Sequence, residues 1–216
     1  MTVLRLRDGS LWVHNPLAPT GELLEQLASI GGRVAHVVVP NNSPEHWVYA
    51  GDFCDALADD VQLWVPPGFL TDRPLPFPWL FGLKELRDRI AWREFGEEAP
   101  EEWGGEVEVA LFRTPTLVEA AFLLRSPRAL LLADAAFKMD ASCGVPAGNV
   151  WQARLLGVWQ RLGCPTRVVF SAFPKRARAF VQRLLQFDFD TVVPAHFLAP
   201  VPGGKQALLE CFKFLL

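Results

Sequence analysis

Val37-Val38-Val39-Pro40-Asn41-Asn42-Ser43-Pro44-Glu45-His46-Trp47 decides the reading of this chain. Three β-branched residues run into a polar loop, which ends in an acid beside an imidazole. A buried strand that empties into such a loop holds functional groups still, because the sheet anchors the loop. Two later stretches share the design. Leu130-Leu131-Leu132-Ala133-Asp134 is an apolar strand ending in a carboxylate, and Thr191-Val192-Val193-Pro194-Ala195-His196 is one ending in a histidine. The question set by the sequence is whether these strand ends meet.

The chain has 216 residues, half of them hydrophobic, and a formal net charge of -3. Mean hydropathy is +0.17 and the pI about 5.8. This is enough apolar material for one well-cored domain over 1–216, and the composition argues against disorder. The absence of a basic stripe argues against nucleic acid as a partner. Charges at Arg5, Arg7 and Asp8 stand where a secretion signal needs apolar residues, and no apolar run reaches the roughly 18 residues of a spanning helix. Cys54, Cys143, Cys164 and Cys211 form no CxxC pair, so the expectation is reduced thiols in a cytoplasmic protein that contacts no membrane.

Working outward, Val3 to Arg7 and Leu11 to His14 predict a hairpin about the turn Asp8-Gly9-Ser10. Thr20 caps a helix to Ile30 in which Leu23, Leu24, Leu27 and Ile30 share a face, and Gly31-Gly32 ends it. Strand Val34 to Val39 follows, then a helix from Trp47 to Leu57 and a strand from Val61 to Val65. Residues 66–82 are rich in proline and predict an irregular excursion carrying Trp79 and Phe81. A helical turn is expected over Leu83 to Arg87, a strand over Ile90 to Phe95, and an acidic surface loop over Gly96 to Gly105. Strands are predicted at Val107 to Phe112, Val118 to Arg125 and Ala129 to Ala133, then a loop over 135–148. A helix from Asn149 to Leu162, a strand from Arg167 to Phe170, a helix from Pro174 to Gln186, a strand from Thr191 to Val193 and, after Gly203-Gly204, a final helix to Leu216 complete the chain.

This order resembles the metallo-β-lactamase superfamily. The resemblance implies an α/β (α+β) fold, a four-layer αββα sandwich of two mixed sheets with metals at one edge. The superfamily's first motif, His-x-His-x-Asp-His, falls on Asn41-Asn42-Ser43-Pro44-Glu45-His46. Asn41 and Ser43 replace its two early histidines, Glu45 replaces Asp, and His46 matches. Asp134 takes the place of the bridging Asp and His196 of the terminal His. The middle His is missing, since Arg113-Thr114-Pro115-Thr116-Leu117 contains none. In register, one whole ligand set is lost and a version of the other is kept. Within the superfamily the chain is similar to the DUF4336-type proteins, through Leu11-Trp12-Val13-His14-Asn15-Pro16, through Pro40-Asn41, and through Glu119 leading to Asp134.

The resemblance implies a site of Glu45, His46, Asp134 and His196 for one divalent metal, donors that suit zinc, iron or manganese. Glu45 and Asp134 are then the catalytic carboxylates, with Glu45 a fourth ligand or the general base. Asn41, Ser43, Trp47 and His14 are candidate walls of a substrate pocket, although His14 equally suits a hydrogen bond to backbone; His36, mid-strand, reads as structural. Two functions stay open at this point. One is a single-metal hydrolase of ester, thioester, amide or phosphoester bonds. The other is a metal-free domain that binds a small molecule or a protein, with Asn41, Asn42 and Ser43 as hydrogen-bonding groups. A homo-oligomer held by the 66–82 excursion is a further expectation.

Overall fold

The computed structural model describes residues 1–57, 60–69 and 91–216. The chain forms two compact units, Met1–Gly105 with Pro115–Val118, and Glu106–Thr114 with Glu119–Leu216. The helical turn expected over Leu83 to Arg87, and Trp79 and Phe81 of the proline-rich excursion, lie outside the described residues.

The first unit is built on a five-stranded sheet: β1 (Thr2–Arg5), β2 (Leu11–His14), β3 (Val34–Val38), β4 (Gln62–Val65) and β5 (Trp92–Glu94), adjacent in that order. β1 and β2 form the predicted antiparallel hairpin, and β2 to β5 are parallel. The hairpin turns where Asp8 Oδ1 accepts from the Ser10 backbone N–H at 2.8 Å and its hydroxyl at 2.7 Å. Gly9 supplies the φ of 86° that the turn requires. Every residue of β2 and β3 is buried, as continuous apolar runs in a parallel sheet demand. The helix Gly21–Ile30 starts at Thr20, whose hydroxyl accepts from the Leu23 N–H. Its buried face is narrower than the periodicity predicts. Leu27 is buried, while Ile30 at the end of the helix is exposed.

The second unit carries β6 (Val107–Arg113), β7 (Val118–Leu124), β8 (Ala129–Leu132), β9 (Thr191–Pro194) and β10 (Val201–Pro202), in the sheet order β10-β9-β8-β7-β6. β7 pairs antiparallel with β8, β8 parallel with β9, and β9 antiparallel with β10. Both sheets are therefore mixed, as expected. The helix Pro174–Gln186 falls on its predicted bounds, with proline in the first turn.

Five expectations are corrected. Arg167–Ala172 is a helix, not a strand: Val169 and Phe170 both donate to the Thr166 carbonyl, and Val168 is exposed while Phe170 is buried. The order after residue 149 is thus helix, helix, helix, two strands, helix. The helix expected over Asn149 to Leu162 spans only Val150–Leu155. Gly157, at φ 73°, turns the chain out of it, and the following residues bond to another segment: Met139 N–H donates to Val158 and Gln160 N–H to Met139. Gly163 then packs on Gly157 so closely that a Cβ would stand 2.1 Å from the Gly157 carbonyl oxygen. The helix expected over Trp47 to Leu57 is a one-turn 3-10 segment, Pro44–His46, followed by Ala50–Asp55. The expected surface loop at 96–105 carries Trp103, which is fully buried. The final helix ends earlier than expected, at Phe212.

His36 behaves as the structural residue its position implies. It is buried on β3, and its Nδ1 accepts the Trp64 indole N–H at 3.1 Å, a bond that needs an unprotonated nitrogen. Burial is the leading cause that lowers its pKa from 6.5, ahead of Asp8 and Glu102, whose carboxylates raise it, and Arg33, which lowers it. The native imidazole then takes up its proton at lower pH than the unfolded one. Its contribution to stability is present above pH 6.5 and is lost as pH falls below 6.5 through the depressed native value. Urea unfolding between pH values of about 7.5 and 5.5 is expected to show that loss, at up to about 1.4 kcal/mol per pH unit for one such histidine. The slope should flatten in His36→Gln; an unchanged slope would contradict the assignment.

Candidate metal centre

In the first unit the site residues leave the sheet from the ends of two parallel neighbours. His14 of β2 is paired with Val38 of β3, and the Asn15 N–H donates to the Val38 carbonyl at 2.9 Å. Parallel pairing sends both strands out at the same edge, where loops of an α/β sheet place ligand groups. The β3 loop then folds upon its own polar groups. Asn41 is fully buried, and its side-chain oxygen accepts from Ser43 N–H at 2.9 Å. Asn42 uses both ends of its amide, accepting from Val118 N–H at 3.1 Å and donating to the Thr116 carbonyl at 3.0 Å.

His46 is buried on the Pro44–His46 turn, and Glu45 is exposed. A 3-10 turn has three residues per revolution, so neighbouring side chains diverge by about 120°. This explains how the pair is split, one inward and one outward. His46 Nδ1 lies 2.7 Å from the Asn15 side-chain oxygen. That oxygen accepts, so Nδ1 is the donor in this contact. This is how a second residue sets an imidazole for ligation. Asn15 is itself buried and sits at φ 59°, in the left-handed region that asparagine tolerates better than most residues. The sequence by itself assigned Asn15, between His14 and Pro16, no role at the site.

Trp47 is a core side chain and not a pocket wall. It is 1% exposed, packs edge-on to Phe69 at 6.0 Å, and belongs to the cluster of Val39, Ala50 and Phe53. His14 is buried and stacks on Trp12 with 8° between the ring planes. Burial holds its pKa well below 6.5, with the N-terminal amine and His46 adding to that, so the ring is neutral. The buried thiols of Cys54 and Cys164 are pushed up to about 12, so both are inert, and all four cysteines are free.

In the second unit the sheet register brings the other two predicted residues together. Leu132 of β8 is paired with Pro194 of β9, in parallel. Two residues beyond each lie Asp134 and His196, and their side chains meet with His196 Nε2 3.0 Å from Asp134 Oδ1. The backbone reinforces the match, since Ala195 N–H donates to the Leu132 carbonyl at 2.8 Å. Both side chains keep some exposure, 15% for Asp134 and 30% for His196. Phe137 stands edge-on to His196 at 5.7 Å, and exposed Phe197, at φ 59°, packs on Phe137 at 5.1 Å.

The donors fit a metal. An ion with bonds of about 2.0–2.2 Å in tetrahedral geometry spaces its ligand atoms by roughly 3.4 Å. The Asp134 and His196 atoms need to part by only a few tenths of an ångström from their hydrogen-bonded spacing. An Asp134 carboxylate beside the His196 imidazole is a pair of donors of the kinds that zinc, iron and manganese take.

No helix among the described residues is long and apolar enough to cross a membrane. No curated protein matches the sequence. Solved structures do share the fold. TTHA1623, in a di-iron-bound form, superposes with a TM-score of 0.57 at 15% identity, over 95% of this chain and 90% of that one. The metallo-beta-lactamase family protein TTHA1429 from Thermus thermophilus gives 0.56 at 17% identity, over 96% and 71%. A beta-lactamase domain protein from Burkholderia ambifaria gives 0.56 at 16% identity, over 98% and 64%. The chain therefore has the metallo-β-lactamase fold. Residues 1–147 match the model of the family described as "Domain of unknown function (DUF4336)", and the chain belongs to that family.

Proposed function

We propose that this protein is a hydrolase that works with one divalent metal ion, held by His46, Asp134 and His196. The observation that carries the reading is the Asp134–His196 pair, a carboxylate and an imidazole set side by side at two parallel strand ends. The three residues are a set of side chains of the kinds that hold a metal ion. Asn41 and Ser43 offer no imidazole where the superfamily motif has its early histidines, so one ion is expected and not two. TTHA1623 binds iron, which puts iron beside zinc and manganese among the ions to test.

When bound, such an ion supplies Lewis acidity, which makes water a nucleophile near neutral pH and polarises a carbonyl or phosphoryl oxygen. The chain's own groups do the rest. Asn15 keeps the proton on His46 Nδ1 and so presents Nε2. Glu45, exposed on the turn that buries His46, is left out of the ligand set, and its role as general base, accepting a proton from water, rests on its register with the superfamily motif. Substrates are small molecules with an ester, thioester, amide or phosphoester bond. Four free cysteines agree with a reducing, cytoplasmic compartment. The metal-free binding reading is disfavoured, because Asn41 and Asn42 spend their amides on the chain itself.

The test is elemental analysis of protein purified without chelator, followed by assays on an ester, a thioester, an amide and a phosphodiester. About one ion per chain and turnover of one substrate class that chelator abolishes is the expected result. Protein that takes up no metal would sink the reading.

A further inference from the structure

Glu119 is the one acidic residue of β7, and its side chain is 1% exposed. The rest of the strand is Val118, Ala120, Ala121, Phe122, Leu123 and Leu124, all buried. A carboxylate in such surroundings is costly unless hydrogen bonds compensate it, and an apolar residue of similar size would suit the strand better. What it bonds to is specific. One carboxylate oxygen, Oε1, accepts the backbone N–H of Ala133 at 3.2 Å and that of Ala135 at 2.9 Å. These two amides lie on either side of Asp134. The Asp134 carbonyl is tied in turn, accepting the Thr166 hydroxyl at 3.3 Å.

We infer that Glu119 is a positioning residue for Asp134: it clamps the backbone on both sides of the carboxylate that faces His196. This rests on the metal reading above. β8 ends at Leu132, so beyond it the sheet no longer dictates the path of the chain. Without the clamp, the 133–135 segment has two buried amide donors to satisfy elsewhere, and the Asp134 side chain loses its fixed direction. Ligands are held in place by such outer partners, and removing one typically weakens metal affinity by about 10–100-fold. A plain strand of β7 needs none of this.

The test is titration of metal-free protein with Co²⁺, read both by calorimetry and by the visible absorption of the bound ion. Glu119→Ala is expected to bind about 10–100-fold more weakly, with a changed spectrum. Glu119→Gln keeps one acceptor oxygen for both amides and is expected to restore affinity to within about threefold of wild type. Thermal unfolding of the metal-free forms shows whether each variant is folded. Should Glu119→Ala not fold, Thr166→Val carries the test, since it releases the Asp134 carbonyl at the further cost only of the hydroxyl's contact with the Cys164 sulfur at 3.6 Å; weaker Co²⁺ binding is expected. Wild-type protein that takes up no Co²⁺ overturns the metal reading and this inference with it. Wild-type protein that binds Co²⁺, with Glu119→Ala binding as tightly, or with Thr166→Val binding as tightly where Glu119→Ala does not fold, overturns the role of the clamp alone. So does Glu119→Gln binding as weakly as Glu119→Ala.

Discussion

Alanine at both His46 and His196 is expected to take bound metal from about one ion per chain to less than about a tenth of one. Each imidazole supplies one of the three proposed bonds to the ion. Loss of one leaves two donors, which is short of the three protein ligands that a catalytic zinc site ordinarily has. The single variants should therefore retain weak binding that dialysis removes, and the double variant none. Glu45→Gln is the contrasting change. Its side chain is exposed, so metal content should stay at the wild-type level while turnover falls, by about 10²–10⁴-fold for a general base. Elemental analysis of these variants, prepared side by side with wild type, separates ligand from base. Metal unchanged in the double variant would contradict the ligand assignment, and metal lost in Glu45→Gln would return Glu45 to the ligand set.

Trp103→Ala is expected to destabilise the first unit by about 3–5 kcal/mol, the cost of emptying a buried aromatic site. Trp103 is 0% exposed. Its ring meets Trp12 edge-on at 5.5 Å, Trp64 edge-on at 5.6 Å and Phe95 at 5.9 Å. Edge-to-face pairs of this kind add to the stabilisation that burial alone provides. Trp64 also carries the Arg93 guanidinium over its face and donates to His36, so the cavity would loosen groups beyond its lining. At about 2–4 °C per kcal/mol for a chain of this size, the melting temperature should drop by roughly 10 °C. Trp103→Phe should recover part of the loss. Trp151, 60% exposed, is the control, and its alanine variant should stay within about 0.5 kcal/mol of wild type. A Trp103→Ala protein as stable as that control would show that the ring is not the keystone of this cluster.

Trp103 also shows where reading the chain alone falls short. Glutamates and glycines crowd around it between Gly96 and Gly105, and such a composition predicts solvent. Burial of one ring by a short 3-10 turn leaves no periodic trace in the sequence. The 167–170 segment failed for a related reason. Val168-Val169 has strand propensity, but propensity on this scale is weak, and the packing of Phe170 decided for a helix. Phe170 stacks with Phe112 at 4.2 Å and with Phe212 at 5.5 Å.

The amino-acid sequence by itself determined which strands are buried on both faces, where the hairpin turns, and which chemical groups stand at the strand ends. Those properties are local: apolar runs, an Asp-Gly turn, a histidine or carboxylate at a fixed offset from its strand. It also named His46, Asp134 and His196 through their register with a known motif. The tertiary structure alone decided what those groups touch. Asp134 and His196 are 62 positions apart, and it is the parallel pairing of Leu132 with Pro194 that sets them side by side. Asn15 reaches His46 across 31 positions, and Glu119 reaches the amides of Ala133 and Ala135 across a strand turn. Partners of this kind are chosen by sheet register and by the cost of leaving a buried polar group unpaired, and neither is written in the order of residues near the site.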